Sequence, residues 1–131
     1  MNRTPVNPWD WSLKFSFNQG EVLEGATRFL VCAGQTAIDG QGNPQHAGDM
    51  AAQLKLSLDN LEAVLMAADM TLSNVVRLSL YTTDVDAVIG NWGIFAERIG
   101  AAGVMPPQTL LGVNRLAFPE LMVEIEALAA A

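Results

Sequence analysis

Glu124 and Glu126 stand two residues apart in the run LMVEIEALA near the end of the chain. A strand's period of two sets Leu121, Val123, Ile125 and Ala127 on one face and Met122, Glu124, Glu126 and Leu128 on the other. The two carboxylates then lie about 7 Å apart on a shared face. So placed they can divide work, one holding a water or a substrate N–H while the other pairs with a cation such as Arg115. The same spacing also describes a solvated sheet face with Glu126 and Arg115 as cross-strand partners, and spacing alone favours that simpler reading. In AGQTA and PPQTL, Gly34 with Gln35 and Gln108 with Thr109 set polar side chains beside small or rigid neighbours at a strand end. Such positions line pockets or simply form turns.

Other chemistries find no residues to carry them. The single histidine, His46, cannot form a paired-histidine zinc site, and no nucleophile elbow, P-loop or dinucleotide fingerprint occurs. Cys32, the only cysteine, sits in FLVCAG among apolar neighbours and reads as a small buried hydrophobe. Asp84 and Asp86 read as helix-capping residues.

The elements that must position these residues follow from periodicity. LKFSFNQGEVLEGATRFLVCAGQTA is divided by Gly20 and Gly25 into two or three short antiparallel strands. DGQGNPQHAG is a surface loop. Met50, Leu54, Leu58, Leu61, Leu65 and Ala68 recur at helical spacing over about five turns, with Asp49 as N-cap and Gln53, Lys55, Asp59 and Glu62 off the apolar stripe. NVVRLSLYTT alternates as a strand. TDVD has the form of a capping box opening a second helix through Ile89, Trp92, Phe95, Ala96 and Ile99 to Gly100. Two more strands follow, giving an α+β sheet with helices on one face.

At 131 residues the chain suits one domain spanning 1–131. Only 16% of residues are charged and half are apolar, which leaves few polar groups for the surface and points to an oligomer. A net charge of -7 repels phosphate backbones and anionic membranes, so neither nucleic acid nor membrane is an expected partner. With no signal-like or membrane-length apolar run, a cytoplasmic location is expected.

Taken in order, AGQTAID, AAQLKLSLDNLEAVLMAADM, NVVRLSLYTTDVDA, PPQTLLGVNRL and VEIEALA resemble the RidA/YjgF family of reactive-intermediate deaminases, from about Arg3 to Ala129. The resemblance implies a fold similar to bacillus-type chorismate mutase: a six-stranded mixed sheet carrying two helices on one face, assembled as a homotrimer with small-molecule clefts between subunits. It implies hydrolytic removal of ammonia from imines and enamines such as 2-aminoacrylate, with no cofactor and no metal. The family acid that holds the attacking water falls on Glu124, and the Gly-Gln pair on Gly34 and Gln35. A serine found in some members is Ala33. The arginine that grips a substrate carboxylate is replaced by Gln108, and losing such a fork weakens carboxylate binding by about 1.5–3 kcal/mol. Three outcomes are then open. Another cation, Lys14 or Arg28, meets the carboxylate; the substrate is neutral there; or the protein is a non-catalytic metabolite-binding trimer. Ribonuclease activity, attached to some relatives, has no basic stripe to support it here.

Overall fold

The computed structural model describes residues 1–131. In chain order the elements are β1 (Asn2–Val6), β2 (Gly20–Glu24), β3 (Phe29–Val31), α1 (Met50–Ala67), β4 (Val75–Thr82), α2 (Val85–Gly90), α3 (Trp92–Ala101), β5 (Gln108–Gly112) and β6 (Val123–Ala130). The α+β expectation is met, with the six strands divided between a β1–β2 pair and a four-stranded sheet in the order β3-β6-β4-β5. β4 and β5 are parallel, and the remaining neighbours are antiparallel. A parallel pair needs a crossover, and α2 with α3 supplies it.

The amino-terminal third departs from the expected meander. β2 and β3 both lie in the predicted stretch, but β2 pairs with β1 and β3 pairs with β6, so the two are not neighbours. Leu13–Phe15 forms one 3-10 turn instead of strand. β1 escaped the sequence reading because NRTPV carries no apolar alternation, and all but Arg3 of it is exposed.

The predicted second helix is two helices. Asn91 follows Gly90 at the break and turns its side-chain amide back onto the Ala87 carbonyl at 2.8 Å. Glycine and a locally bonding asparagine together favour ending a helix over continuing it. The cap of α2 is Asp84, which accepts from the Ala87 N–H at 3.0 Å, one residue beyond the Thr83 that the capping-box pattern suggested. Asp49 caps α1 as expected, accepting from Ala52 at 3.0 Å.

α1 lays Leu58, Leu61 and Leu65 against Leu78 and Leu80 of β4 and Ile125, Ala127 and Ala129 of β6, with Phe95 and Ile99 of α3 closing the core. Each fully buried leucine contributes about 1.5–3 kcal/mol by leaving water. Leu54 joins Met50, Val88 and Val123 in a second cluster. Gln53, placed outside the apolar stripe by periodicity, is fully buried. Its amide donates to the Glu120 carbonyl and accepts from the Met122 N–H, both at 2.8 Å, tying α1 to the turn that leads into β6. Asn60 similarly donates to the carbonyls of Thr36 (2.8 Å) and Ile38 (3.0 Å), fastening the segment that follows Gly34. No helix is long and apolar enough to cross a membrane.

Candidate functional site

Along β6 burial alternates as the sequence dictates: Val123, Ile125 and Ala127 are buried under the helices, while Glu124, Glu126 and Leu128 face the open side of the sheet. The register sets Tyr81 opposite Glu124 and Ser79 opposite Glu126, so Arg77, Ser79 and Tyr81 share that open face. The Tyr81 hydroxyl donates to Glu126 Oε1 at 2.6 Å. That bond leaves Glu124 as the carboxylate without a side-chain partner.

Gly34 and Gln35 are brought to Glu124 by backbone pairing. The Gln35 N–H donates to the Ile125 carbonyl at 2.7 Å and the Ile125 N–H returns the bond at 2.9 Å. The chain at 34 therefore runs directly under the Glu124 side chain. A Cβ on Gly34 would stand 2.6 Å from Glu124 Cδ and 2.8 Å from Cγ. A side chain at 34 would force the Glu124 side chain aside. Partial burial pushes the Glu124 carboxyl above its ordinary value, and the neighbouring Glu126 charge adds to the rise. The hydrogen bond to Glu126 pushes the Tyr81 phenol upward in the same way.

Arg115 does not take the role of Glu126 partner. β5 ends at Gly112, and Arg115 lies three residues beyond it in an exposed loop, making no ion pair. Sequence spacing could not reveal where the strand stopped.

Gln108 lies on the other side of the sheet. Its register partner on β4 is Leu78, a buried residue of the helix-covered face. There it lines a cavity of about 310 Å³ with Phe15, Phe17, Ile89, Trp92 and Leu110. The Phe15 carbonyl accepts from Trp92 Nε1 at 3.1 Å and from Gln108 Nε2 at 3.4 Å, fixing both side chains against the 3-10 turn. Gln108 Oε1 is buried and has no hydrogen-bond partner. Trp11 stacks edge-on against Phe15 and Phe17, with centroids 6.5 and 5.9 Å away, so an aromatic strap from Trp11 to Phe17 walls the cavity.

No cation belongs to that lining. Lys14 is the nearest by sequence, and its ammonium rests 5.2 Å over the Phe15 ring. Arg28 donates to the Ala68 carbonyl at the far end of α1. Arg77 donates to Thr109 Oγ1 at 2.6 Å, which places Thr109 on the open face with Ser79 and not beside Gln108 in the cavity. Arg3 is bonded to Glu21, and Arg98 to Asp59 and Glu62.

The fold thus sets Glu124 beside Gly34 on the open face, pairs Gln35 with Ile125 through the backbone, and sets Gln108 on the covered face. Within one chain these are two separate features: a carboxyl without a side-chain partner, and an apolar cavity with one amide. The sequence reading missed Phe15, Phe17, Ile89, Trp92 and Leu110 as cavity residues. The aromatic density of WDWSLKFSF was the available signal for the first two. Ile89 and Trp92 were masked by helical spacing, which the break at Gly90 and Asn91 overrides, leaving Ile89 57% exposed.

Comparison with known proteins agrees with this architecture. The family described as Endoribonuclease L-PSP matches residues 15–131. A RutC family protein of Pyrococcus horikoshii is 29% identical over 125 residues, covering 95% of this chain and 88% of that protein. The Rid family protein YyfB of Yersinia pestis superposes with a TM-score of 0.86 at 35% identity, over 100% of both chains. The YjgF gene product of E. coli gives 0.70 at 25% identity, over 87% of each chain. With the five motifs, the α+β fold and these likenesses in agreement, the chain belongs to the RutC/YjgF/Rid family and has its chorismate mutase-like fold.

Proposed function

We infer that the protein is a cofactor-independent hydrolase of imines or enamines whose site is completed between the subunits of a homotrimer. The observation that carries this reading is the division of the site: Glu124 beside Gly34 on the open sheet face, and the Gln108 cavity on the covered one. A neighbouring copy that presents its open face to the cavity would unite the two. Exposed apolar residues on that open face, Phe29 and Val31 of β3 and Leu111 of β5, favour such self-association. In the reaction, Glu124 holds a water against the electrophilic carbon of C=N. The water oxygen bonds to carbon, its protons pass to nitrogen, and the C–N bond breaks to release ammonia and a carbonyl product. A carboxyl whose proton affinity is raised by burial suits this exchange better than a fully solvated one.

Imines generated in situ, with their disappearance followed against buffer, test the activity. Acceleration abolished by Glu124→Ala supports it, and rates equal to buffer for acidic and neutral imines alike remove it. The second reading, a metabolite-binding trimer without catalysis, is favoured by one observation, the amide at 108 where the resemblance implies a guanidinium. Gln108→Arg discriminates: gained deamination of 2-imino acids means that the rest of the site is intact.

A further inference from the structure

The Gln108 cavity selects a class of ligand by what its wall contains. Five of the six lining residues are hydrophobic, and the sixth is an uncharged amide. A carboxylate entering it would shed water with no opposite charge in this wall to replace it, which is strongly unfavourable in an apolar site. The amide offers no charge to an anion. Its Nε2 gives one of its two N–H groups to the Phe15 carbonyl at 3.4 Å, and its Oε1 is buried without a partner, an acceptor still unmet. The net charge of -7 acts in the same direction. A volume of about 310 Å³ is at the low end of the roughly 300–1,000 Å³ of small-molecule sites, enough for one ring or a short branched chain.

We propose that this cavity receives an uncharged aromatic or branched aliphatic group bearing one hydrogen-bonding group for the Gln108 amide, and discriminates against carboxylates. Resting on the deaminase reading above, the substrate is then an imine with no carboxylate on its C=N carbon: RCH=NH and water give RCHO and ammonia. The reaction class that supplies it is two-electron oxidation of a primary amine by an amine oxidase or dehydrogenase, not oxidation of an amino acid. Trp92 and the two phenylalanines receive the R group, and the N–H meets Gln108.

Stable probes separate the ligand class from the chemistry. Titration of the assembled protein with phenylacetamide and with phenylacetate, read by calorimetry, is expected to show the amide binding at least about tenfold more tightly, the worth of one hydrogen bond and an avoided unpaired charge. Gln108→Leu should erase most of that preference and Gln108→Arg should reverse it. Equal or tighter binding of the acid by the wild type, or binding of neither probe, overturns the proposal. A kinetic arm compares the imine made by an amine oxidase from 2-phenylethylamine with the imino acid made by an amino-acid oxidase from phenylalanine, each quantified by semicarbazide trapping. Faster loss of the first supports the proposal. Faster loss of the imino acid overturns it while leaving the deaminase reading in place. Amide-selective binding with acceleration of neither imine upholds the ligand class and removes the deaminase reading.

Discussion

Gly34 and Glu124 share one space: the backbone at 34 passes so close beneath the Glu124 side chain that a Cβ there would lie 2.6 Å from its Cδ. Gly34→Ala is therefore expected to displace the carboxylate and to destabilise by about 1–3 kcal/mol, the usual cost of overpacking. In a double-mutant cycle read by urea denaturation, Gly34→Ala combined with Glu124→Ala should recover much of that loss. Strict additivity would mean that the two residues do not compete for this space.

Glu124 should make stability depend on pH in an unusual direction for a carboxylate. Its folded-state pKa is raised by burial first and by Glu126 second, so the folded chain binds this proton more tightly than the unfolded chain does. Stability is then lost as pH climbs from the unfolded value of about 4.3 through the raised one. Scanning calorimetry should find Glu124→Gln with a higher Tm than wild type at pH 7, the two converging near pH 4. A lower Tm for the variant at pH 7 would contradict the burial argument.

Tyr81 is the sole tyrosine, so its ionisation can be followed by absorbance without assignment. The hydrogen bond to Glu126 should hold the midpoint above the ordinary value near 10. Glu126→Gln is expected to bring the midpoint down toward that value. An unchanged titration would show that the Tyr81 hydroxyl is not bonded to Glu126 in solution.

Gln53 joins α1 to the turn before β6 through two backbone groups. Gln53→Leu keeps the volume but strips the Glu120 carbonyl and the Met122 N–H of their partner. A loss of about 1–3 kcal/mol is expected by chemical denaturation, since buried groups left unpaired carry their full desolvation cost. A neutral substitution would mean that water replaces the amide.

The sequence by itself determined the elements whose periodicity is uninterrupted. The leucine spacing of α1, the alternation of β4 and β6 and the Asp49 cap were legible because burial on one side repeats a local geometric period. The five ordered motifs carried the family. Tertiary structure decided what depends on where elements stop and which neighbour they meet. β3 finds β6 across about a hundred residues, a pairing no local pattern encodes. β5 ends at Gly112, which leaves Arg115 outside the sheet, and α2 ends at Gly90 with Asn91, which turns Ile89 to the cavity. Most consequential is the side of the sheet on which each residue falls. Glu124 and Gln108 come from strands separated by β4, so their relative facing depends on two registers, Tyr81 with Glu124 and Leu78 with Gln108. A slip of one residue in either would bring both to one face. Hydrophobic burial of Leu78, Leu80 and Ile125 against α1 and α3 holds those registers, and that burial keeps Glu124 and Gln108 on opposite faces within a single chain.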